Sequence, residues 1–567
     1  MKKTGFLLLG AATLLSAAMA ATDGPGSGQG LDPEQIGKPP INDWTTYSGD
    51  YSGQRFSPLT QINQSNIKNL GLAWVNHLTA GPAISGPFAR FGPGNPPTIV
   101  GGEIAEPVPV RGAPHISGAV LQVNGILYVS VPDNAWAVDA RDGMVLWHYF
   151  WKTKGGTHIG NRGMGMYRDW LYFETPDDYL VSLDAKTGKE RWHKVISDFD
   201  EQYFSTMAPM VIGNHLIVGT GDDLDAPGFL QSFDPETGDL QWKWYSEPEK
   251  MGQPGSETWP NLDSMRHGGG GPWLPGSYDP KLHLYYFGTA NPTPAFSGAT
   301  RKGDNLYTSC IVALNVDTGK LAWYFQPSPH DTHDWDAAQT PVIVDGEFKG
   351  KPRKLLLDAS RNGYFFVLDR VTGEHLLTMP YADTLNWATG IDKSGKPVGN
   401  PAKDASPGGS LVSPDSDGVV NWEPPAYDPQ TGLFYASTDE VYSVFYRTEP
   451  NVRALQGLNG ILEQRVGSKG KYITAIDYRT GKIAWRRLQV SAIDGEGNTG
   501  LTTTAGKLLF GGDANGNLVA YDPADGKPLW HTHLGQISNA VETYMLDGRQ
   551  YILVASGTSL YAFALNL

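Results

Sequence analysis

Short apolar runs of strand length punctuate most of the chain, and one phrase of apolar, turn and apolar positions recurs. Val138-Asp139-Ala140-Arg141-Asp142-Gly143 reaches Trp147, and Leu183-Asp184-Ala185-Lys186-Thr187-Gly188 reaches Trp192. The phrase returns over Asp234 to Trp242, Asn315 to Trp323, Asp477 to Trp485 and Asp522 to Trp530, with a weaker copy from Asp369 to Leu377. Each copy reads as an apolar strand end, a tight Asp-x-x-Thr/Asp-Gly hairpin turn, and a second strand closing on a tryptophan that can wedge between neighbouring sheets. Leu72-Ala73-Trp74 reads as the closing strand of one further unit, giving about eight units at periods of ~45 residues and above.

Antiparallel hairpins repeated at such periods predict an all-β protein, an eight-bladed β-propeller with tryptophan-docking repeats, whose radial closure protects its strand edges. A tryptophan recurring at a fixed position serves the repeat, so chemistry is to be sought where the repeats are broken. The long intervals Asp234 to Asn315 and Asp369 to Asp477 are the places for such insertions. Gly24 to Gly30 and Gly81 to Pro114, rich in Gly and Pro, read as irregular surface connections.

Composition narrows the picture. The 567 residues include 69 Gly, 17 Trp and 26 Tyr with only 18% charged residues, which favours strands and turns over helices. A formal charge of -15 argues against nucleic acid as a partner. Met1-Lys2-Lys3, the apolar run from Phe6 to Leu15 and Ala18-Met19-Ala20 form a secretory signal peptide with cleavage expected after Ala20. Residues 21–567 are then one exported domain, expected in the periplasm, with no stretch long enough to span a bilayer. Cys310 is the single cysteine, so neither an internal disulfide nor a Cys-x-x-Cys-His haem attachment can form. Its apolar surroundings mark it as a buried structural residue.

One stretch is too rich in charge for a repeat. His330-Asp331-Thr332-His333-Asp334-Trp335-Asp336 packs three carboxylates and two imidazoles together. On an extended strand Asp334 and Asp336 would share one side and Trp335 the other. Two carboxylates on one side repel unless a cation lies between them. A solvated charged turn is one alternative, and a zinc hydrolase using His330 and His333 is another. On a strand, however, those two imidazoles face opposite sides, and no hydrolytic nucleophile motif accompanies them.

Several further segments align in order with one family. Asn161-Arg162-Gly163, Ser205-Thr206-Met207, Thr220-Gly221-Asp222-Asp223, Gly270-Gly271-Pro272-Trp273, Gly288-Thr289-Ala290-Asn291-Pro292, His330 to Asp334, Ser360-Arg361-Asn362 and Asn421-Trp422 together resemble the pyrroloquinoline-quinone (PQQ)-dependent methanol and ethanol dehydrogenases, a family of eight-bladed propellers. The resemblance implies oxidation of a primary alcohol to an aldehyde, with PQQ and a metal ion as cofactors and a soluble c-type cytochrome as electron acceptor. It assigns Trp273 as the floor under the quinone. Arg162, Thr206, Thr220, Gly221, Asp222, Arg361, Asn421 and Trp422 fall on cofactor positions. Asp223, Asn291 and Asp334 fall on metal-ligand positions, with Asp334 also the catalytic base. Asp222 and Asp225 stand as alternatives to Asp223, where the family more often has glutamate.

Asp336 occupies the position where lanthanide-dependent members carry an extra aspartate, so the resemblance implies a lanthanide(III) ion with calcium as the alternative. More anionic oxygens suit a trivalent hard cation. Two departures stand out: Gly156-Thr157 replaces the family's adjacent cysteines, and Ser117 replaces a quinone-bonding glutamate. A non-catalytic periplasmic scaffold built from the same repeats is the competing reading, and a homodimer is left open as the assembly.

Overall fold

The computed structural model describes residues 30–81, 97–105, 115–221, 226–448, 461–489 and 499–566. Strand makes up 47% and helix 4%, so the fold is all-β. Eight sheets of four or five strands follow one another along the described chain, with a separate ribbon pairing Ala388–Ile391 and Pro397–Gly399. The first sheet runs from Leu121–Val123 to Val145–Lys152, and the second from Gly165–Tyr167 to Glu190–Val195. The third covers Met210–Ile212 to Leu240–Tyr245, the fourth Ser277–Asp279 to Lys320–Phe325, and the fifth Val342–Phe348 to His375–Pro380. The sixth covers Ala426–Asp428 to Lys482–Gln489, and the seventh Thr502–Thr504 to Pro528–His533. In the eighth, Leu70–His77 joins Ser559–Leu565, Arg549–Ser556 and Glu542–Leu546, so the two ends of the described chain share one sheet.

The recurring phrase explains how sheet meets sheet. The aspartate caps its own turn, as where Asp184 Oδ1 accepts from the Thr187 N–H at 2.8 Å. The closing tryptophan of one sheet then lies on the turn glycine of the next and donates its indole N–H to a carbonyl there. Trp74 reaches Ala140, Trp147 Ala185, Trp192 Glu236, Trp242 Val316, Trp323 Arg370 and Trp485 Pro523, at 2.8–3.3 Å. In the weak copy Leu377 and Met379 pack on Gly481 by van der Waals contact alone. Trp530 of the seventh sheet meets Phe563 of the eighth edge-on at 5.7 Å, which returns the series to the sheet of Trp74.

One finding departs from the sequence reading: Thr98–Gly102, inside the stretch expected to be irregular, is a strand pairing in parallel with Val145–Lys152. Another concerns a segment that carries no repeat phrase, as Ile41 to Ser57 lines the inner strands. The Ile41 carbonyl accepts from Met545, Trp44 exchanges two bonds with Gln122, and the carbonyls of Tyr51, Ser52, Gln54 and Arg55 accept from Tyr278, Ile343, Tyr427 and Thr503. The segment therefore touches the innermost strands of the eighth and first sheets and then the fourth to seventh in order, while the Tyr51 hydroxyl reaches Val211 of the third. Arg55, 1% exposed, donates to the carbonyls of Tyr47, Leu501 and Val541 and closes this inner layer.

The turn glycines are required by geometry as well as backbone freedom. Gly373 has φ +74°, and a Cβ there would lie 2.7 Å from the Trp323 ring. Gly373→Ala is expected to lower stability by about 1–2 kcal/mol from the left-handed backbone alone, with the ring overlap adding to it. Gly390→Ala, where a Cβ meets nothing within 4 Å, should stay within about 0.5 kcal/mol of the parent. Urea unfolding midpoints compare the two.

Candidate active site

In each sheet the hairpin turns after the first and third strands lie at one end. The loop after the second strand and the connection to the next sheet lie at the other. Arg162, Thr206, Trp273, Asp334, Asp336, Asn421 and Trp422 all sit in connections between sheets, while Gly221, Asn291 and Arg361 follow second strands. The topology thus gathers at one end residues that lie far apart in sequence. Backbone bonds tie these loops to one another: Ala119 N–H to Arg162, Arg162 N–H to Thr206, Ala290 N–H to Gly271, Ala337 N–H to Thr289 and Val419 N–H to Arg361, at 2.9–3.1 Å.

Asp336 is the junction of the site. The residue is 4% exposed. Oδ1 accepts from the Asn291 N–H at 2.7 Å, and Oδ2 accepts from Trp273 Nε1 at 2.8 Å and Arg361 Nη1 at 2.7 Å. One side chain thus joins a connection between sheets, which carries Trp273, to two loops after second strands, which carry Asn291 and Arg361. Arg361 also donates to the carbonyls of Ser416 and Asp417 at 2.8 and 3.3 Å. Burial opposes the Arg361 charge, but Asp336, Asp334, Asp417 and Asp331 outweigh it and hold the guanidinium more firmly protonated than usual.

Asp334 differs from Asp336 in both backbone and surroundings. It takes φ +67°, so the stretch is irregular, not the extended strand considered from sequence. Its side chain is 21% exposed and lies 3.9 Å from Arg361 Nη2. Trp335 points into the core, donating to the Asp415 carbonyl at 2.8 Å and lying 4.7 Å from the Trp387 ring. His333 stacks on Trp335 at 4.4 Å and bonds the Lys403 carbonyl, while His330 bonds the Gly303 carbonyl. Asp331 caps the backbone N–H groups of His333 and Trp335. The histidines therefore buttress the loop. Among the described residues no three His, Cys, Asp or Glu side chains converge on a point that would hold a metal.

Trp273, Phe204, Leu274, Ala290 and Ala338 form an apolar floor, with Trp422 packed against it. The Arg162 guanidinium lies 4.5 Å from the Trp273 ring centre and 5.7 Å from that of Trp422. Burial lowers Arg162 to about 10, with Tyr47, Glu423 and Glu174 opposing the shift. Its Nε and the hydroxyl of buried Thr206 have no hydrogen-bond partner in the protein. An indole plane, two guanidinium groups and unpaired buried donors fit a flat ligand bearing several carboxylates.

The remaining predicted residues fare differently. Thr220 uses its hydroxyl on the Phe229 carbonyl, and Gly221 exchanges two backbone bonds with Phe204, so these groups brace the floor. The Asn421 amide donates to the Asp417 carbonyl. Asp222, Asp223 and Asp225 lie outside the described residues, as does the signal segment. Ser117, Gly156 and Thr157 are partly or fully exposed. Cys310 is fully buried, and its thiol meets the Thr308 carbonyl. Sequence reading missed Glu174, Glu423 and Tyr47 around Arg162. Only Glu423, next to Asn421-Trp422, adjoined a recognised motif.

Fold and site together define a β-propeller that gathers, at one end of the ring, side chains suited to an anionic planar cofactor. A family profile described as the PQQ β-propeller domain of glucose, ethanol and alcohol dehydrogenases matches residues 44–383. A profile for the outer membrane protein assembly factor BamB matches only 469–566. The quinohemoprotein alcohol dehydrogenase of Comamonas testosteroni is 35% identical, the match covering 91% of this chain and 72% of that protein. The 1-butanol dehydrogenase (cytochrome c) of Thauera butanivorans is 31% identical over 91% of this chain and 74% of its own length. A europium-containing methanol dehydrogenase structure superposes with a TM-score of 0.78 at 27% identity, covering 94% of this chain and 99% of that one. The chain belongs to the PQQ-dependent alcohol dehydrogenase family and is an oxidoreductase of that type, which removes the scaffold alternative.

Replacing Asp336 by Ala would strand Trp273 Nε1, the Asn291 N–H and the Arg361 guanidinium. The cofactor-free variant is expected to lose about 3 kcal/mol in denaturant unfolding, with Asp336→Asn losing less because it keeps an acceptor. An unchanged midpoint for Asp336→Ala would contradict this junction.

Proposed function

We propose that the protein is an eight-bladed periplasmic enzyme that oxidises a primary alcohol to its aldehyde, using PQQ with a lanthanide ion and delivering electrons to a soluble c-type cytochrome. The eight sheets are the blades, and residues 21–567 form one exported domain. The observation that carries the metal assignment is Asp336 in the floor of the site, joined to Trp273, Asn291 and Arg361. A carboxylate beyond that of Asp334 favours a trivalent over a divalent hard cation. The likeness to a europium-containing methanol dehydrogenase supports that choice, and calcium is the alternative.

When bound, the metal-associated quinone supplies the two-electron acceptor for hydride from the alcohol carbon. Trp273 offers it a flat apolar face, and Arg162 and Thr206 offer it buried donors. Arg361 holds Asp336 in place and would sit near the reactive carbonyl. Asp334, the more exposed carboxylate, takes the hydroxyl proton as hydride leaves the same carbon. Asp334, Asp336 and Asn291 would hold the metal, with Asp223, assigned from its sequence motif, as the further acidic ligand. The relative named for cytochrome c supports the acceptor, and net charge of -15 suits a basic partner.

Purified protein reconstituted with PQQ and either a lanthanide or calcium, assayed with a short primary alcohol and an artificial dye, tests the reading. Lanthanide-supported turnover is expected in the parent and a fall of about a hundredfold or more in Asp336→Asn. Full lanthanide activity in that variant would overturn the metal assignment, and no alcohol oxidation with either metal would overturn the function.

A further inference from the structure

The loop from Ser413 to Gly418 has two working edges. On its inner edge the Asp415 carbonyl accepts from Trp335 Nε1 at 2.8 Å, and the carbonyls of Ser416 and Asp417 accept from Arg361. Gly418 lets the strands of the loop close on Arg361: its φ is +79°, and a Cβ there would lie 2.6 Å from the Arg361 Cβ. The loop thus grips both the residue between the two site aspartates and the guanidinium that binds Asp336.

The outer edge is gripped in turn by the longest hairpin of the fold, Leu433–Arg447 with Ile461–Asp477. Arg465 Nε lies 2.9 Å from Asp415 Oδ2, and the same guanidinium bonds the Asp417 carboxylate. Glu463 accepts from the Ser416 N–H at 3.2 Å and also from its hydroxyl. The Asp415 side chain is 1% exposed, so removing Arg465 would leave a buried carboxylate without its counter-ion. Burial already pushes that carboxyl up to about 7 despite the Arg465 charge.

We propose that Arg465 and Glu463 are positioning residues for the alcohol oxidation, acting through the Asp415, Ser416 and Asp417 carbonyls to fix Arg361 and Trp335. Neither faces the floor of the site, and no recognised motif contains them. The inference rests on the proposed function, in which Arg361 would sit near the reactive carbonyl of the quinone. Loosening a group that aligns the reacting centre costs turnover far more than it costs substrate binding.

The test compares parent, Arg465→Ala, Arg465→Lys and Glu463→Gln as reconstituted holoenzymes for kcat, KM, quinone content and the absorbance spectrum of the bound quinone. Near-ultraviolet circular dichroism of the cofactor-free proteins reads the setting of Trp335 without any turnover. Arg465→Ala should keep its quinone content and its KM within about twofold while kcat falls between about tenfold and a hundredfold. The tryptophan band and the quinone spectrum should both shift, and Arg465→Lys should recover part of kcat because it can pair with Asp415 without bridging to Asp417. Unchanged spectra with parental kcat in Arg465→Ala would overturn the proposal. So would a loss of kcat that merely tracks lost quinone or a lowered unfolding midpoint. A parent that binds quinone but oxidises no alcohol would count against the functional reading, while the two spectra would still decide whether Arg465 sets Trp335 and Arg361.

Discussion

A carboxylate on a side chain that is 6% exposed cannot stay ionised without partners, and Asp336 accepts from Trp273 in a connection between sheets and from Asn291 and Arg361 in loops after second strands. That single constraint couples the parts of the site. The indole that provides the floor, the loop that carries Asn291 and the guanidinium of Arg361 cannot shift independently, because each would strand the same charge. Asp334, two residues earlier, takes a left-handed backbone and is more exposed, at 21%, with Arg361 Nη2 at 3.9 Å. One carboxylate is therefore built in, and the other is the more accessible of the two.

The ring makes this junction affordable in conformational terms. Tryptophan-on-glycine contacts set six of the eight sheets against the next at the end away from the site, with Leu377 and Met379 on Gly481 and Trp530 on Phe563 at the other two junctions, and the inner layer of Ile41 to Ser57 ties the innermost strands together. With both fixed, connections between sheets and loops after second strands can vary in length without moving their anchors. The long segments carrying Trp273, Asn291 and the Ser413 to Gly418 loop use this freedom, and the short loop carrying Arg361 lies at the same end of the ring.

The repeat was legible in the sequence because its chemistry is local: an aspartate that caps its own turn, a glycine forced to positive φ and a tryptophan at a fixed offset. Trp74 could be assigned to a closing strand by the same offset, and the eighth sheet indeed takes that strand. The site residues were legible only through their collinear motifs, since Asn291 or Arg361 alone resembles any loop residue. The inner segment was not legible, because Ile41 to Ser57 is held by backbone bonds to strands hundreds of residues away and carries no repeat of its own. Thr98–Gly102 was hidden because it lies in a Gly- and Pro-rich stretch and pairs with a strand outside it, and the left-handed turn at Asp334 carries no glycine to mark it. Arg465 and Glu463 look like ordinary exposed charges on a strand until the loop they grip is seen. The histidines that suggested zinc are held to Trp335, Lys403 and Gly303 by packing that spacing alone does not reveal.

The most direct measurement is anomalous X-ray diffraction from crystals of the protein reconstituted with PQQ and europium. The account predicts one strong anomalous peak within ligand distance, roughly 2.3–2.6 Å, of carboxylate oxygens from both Asp334 and Asp336, with Arg361 still bonded to Asp336. A peak elsewhere, or a peak at the site with Asp336 turned away from it, would contradict the account.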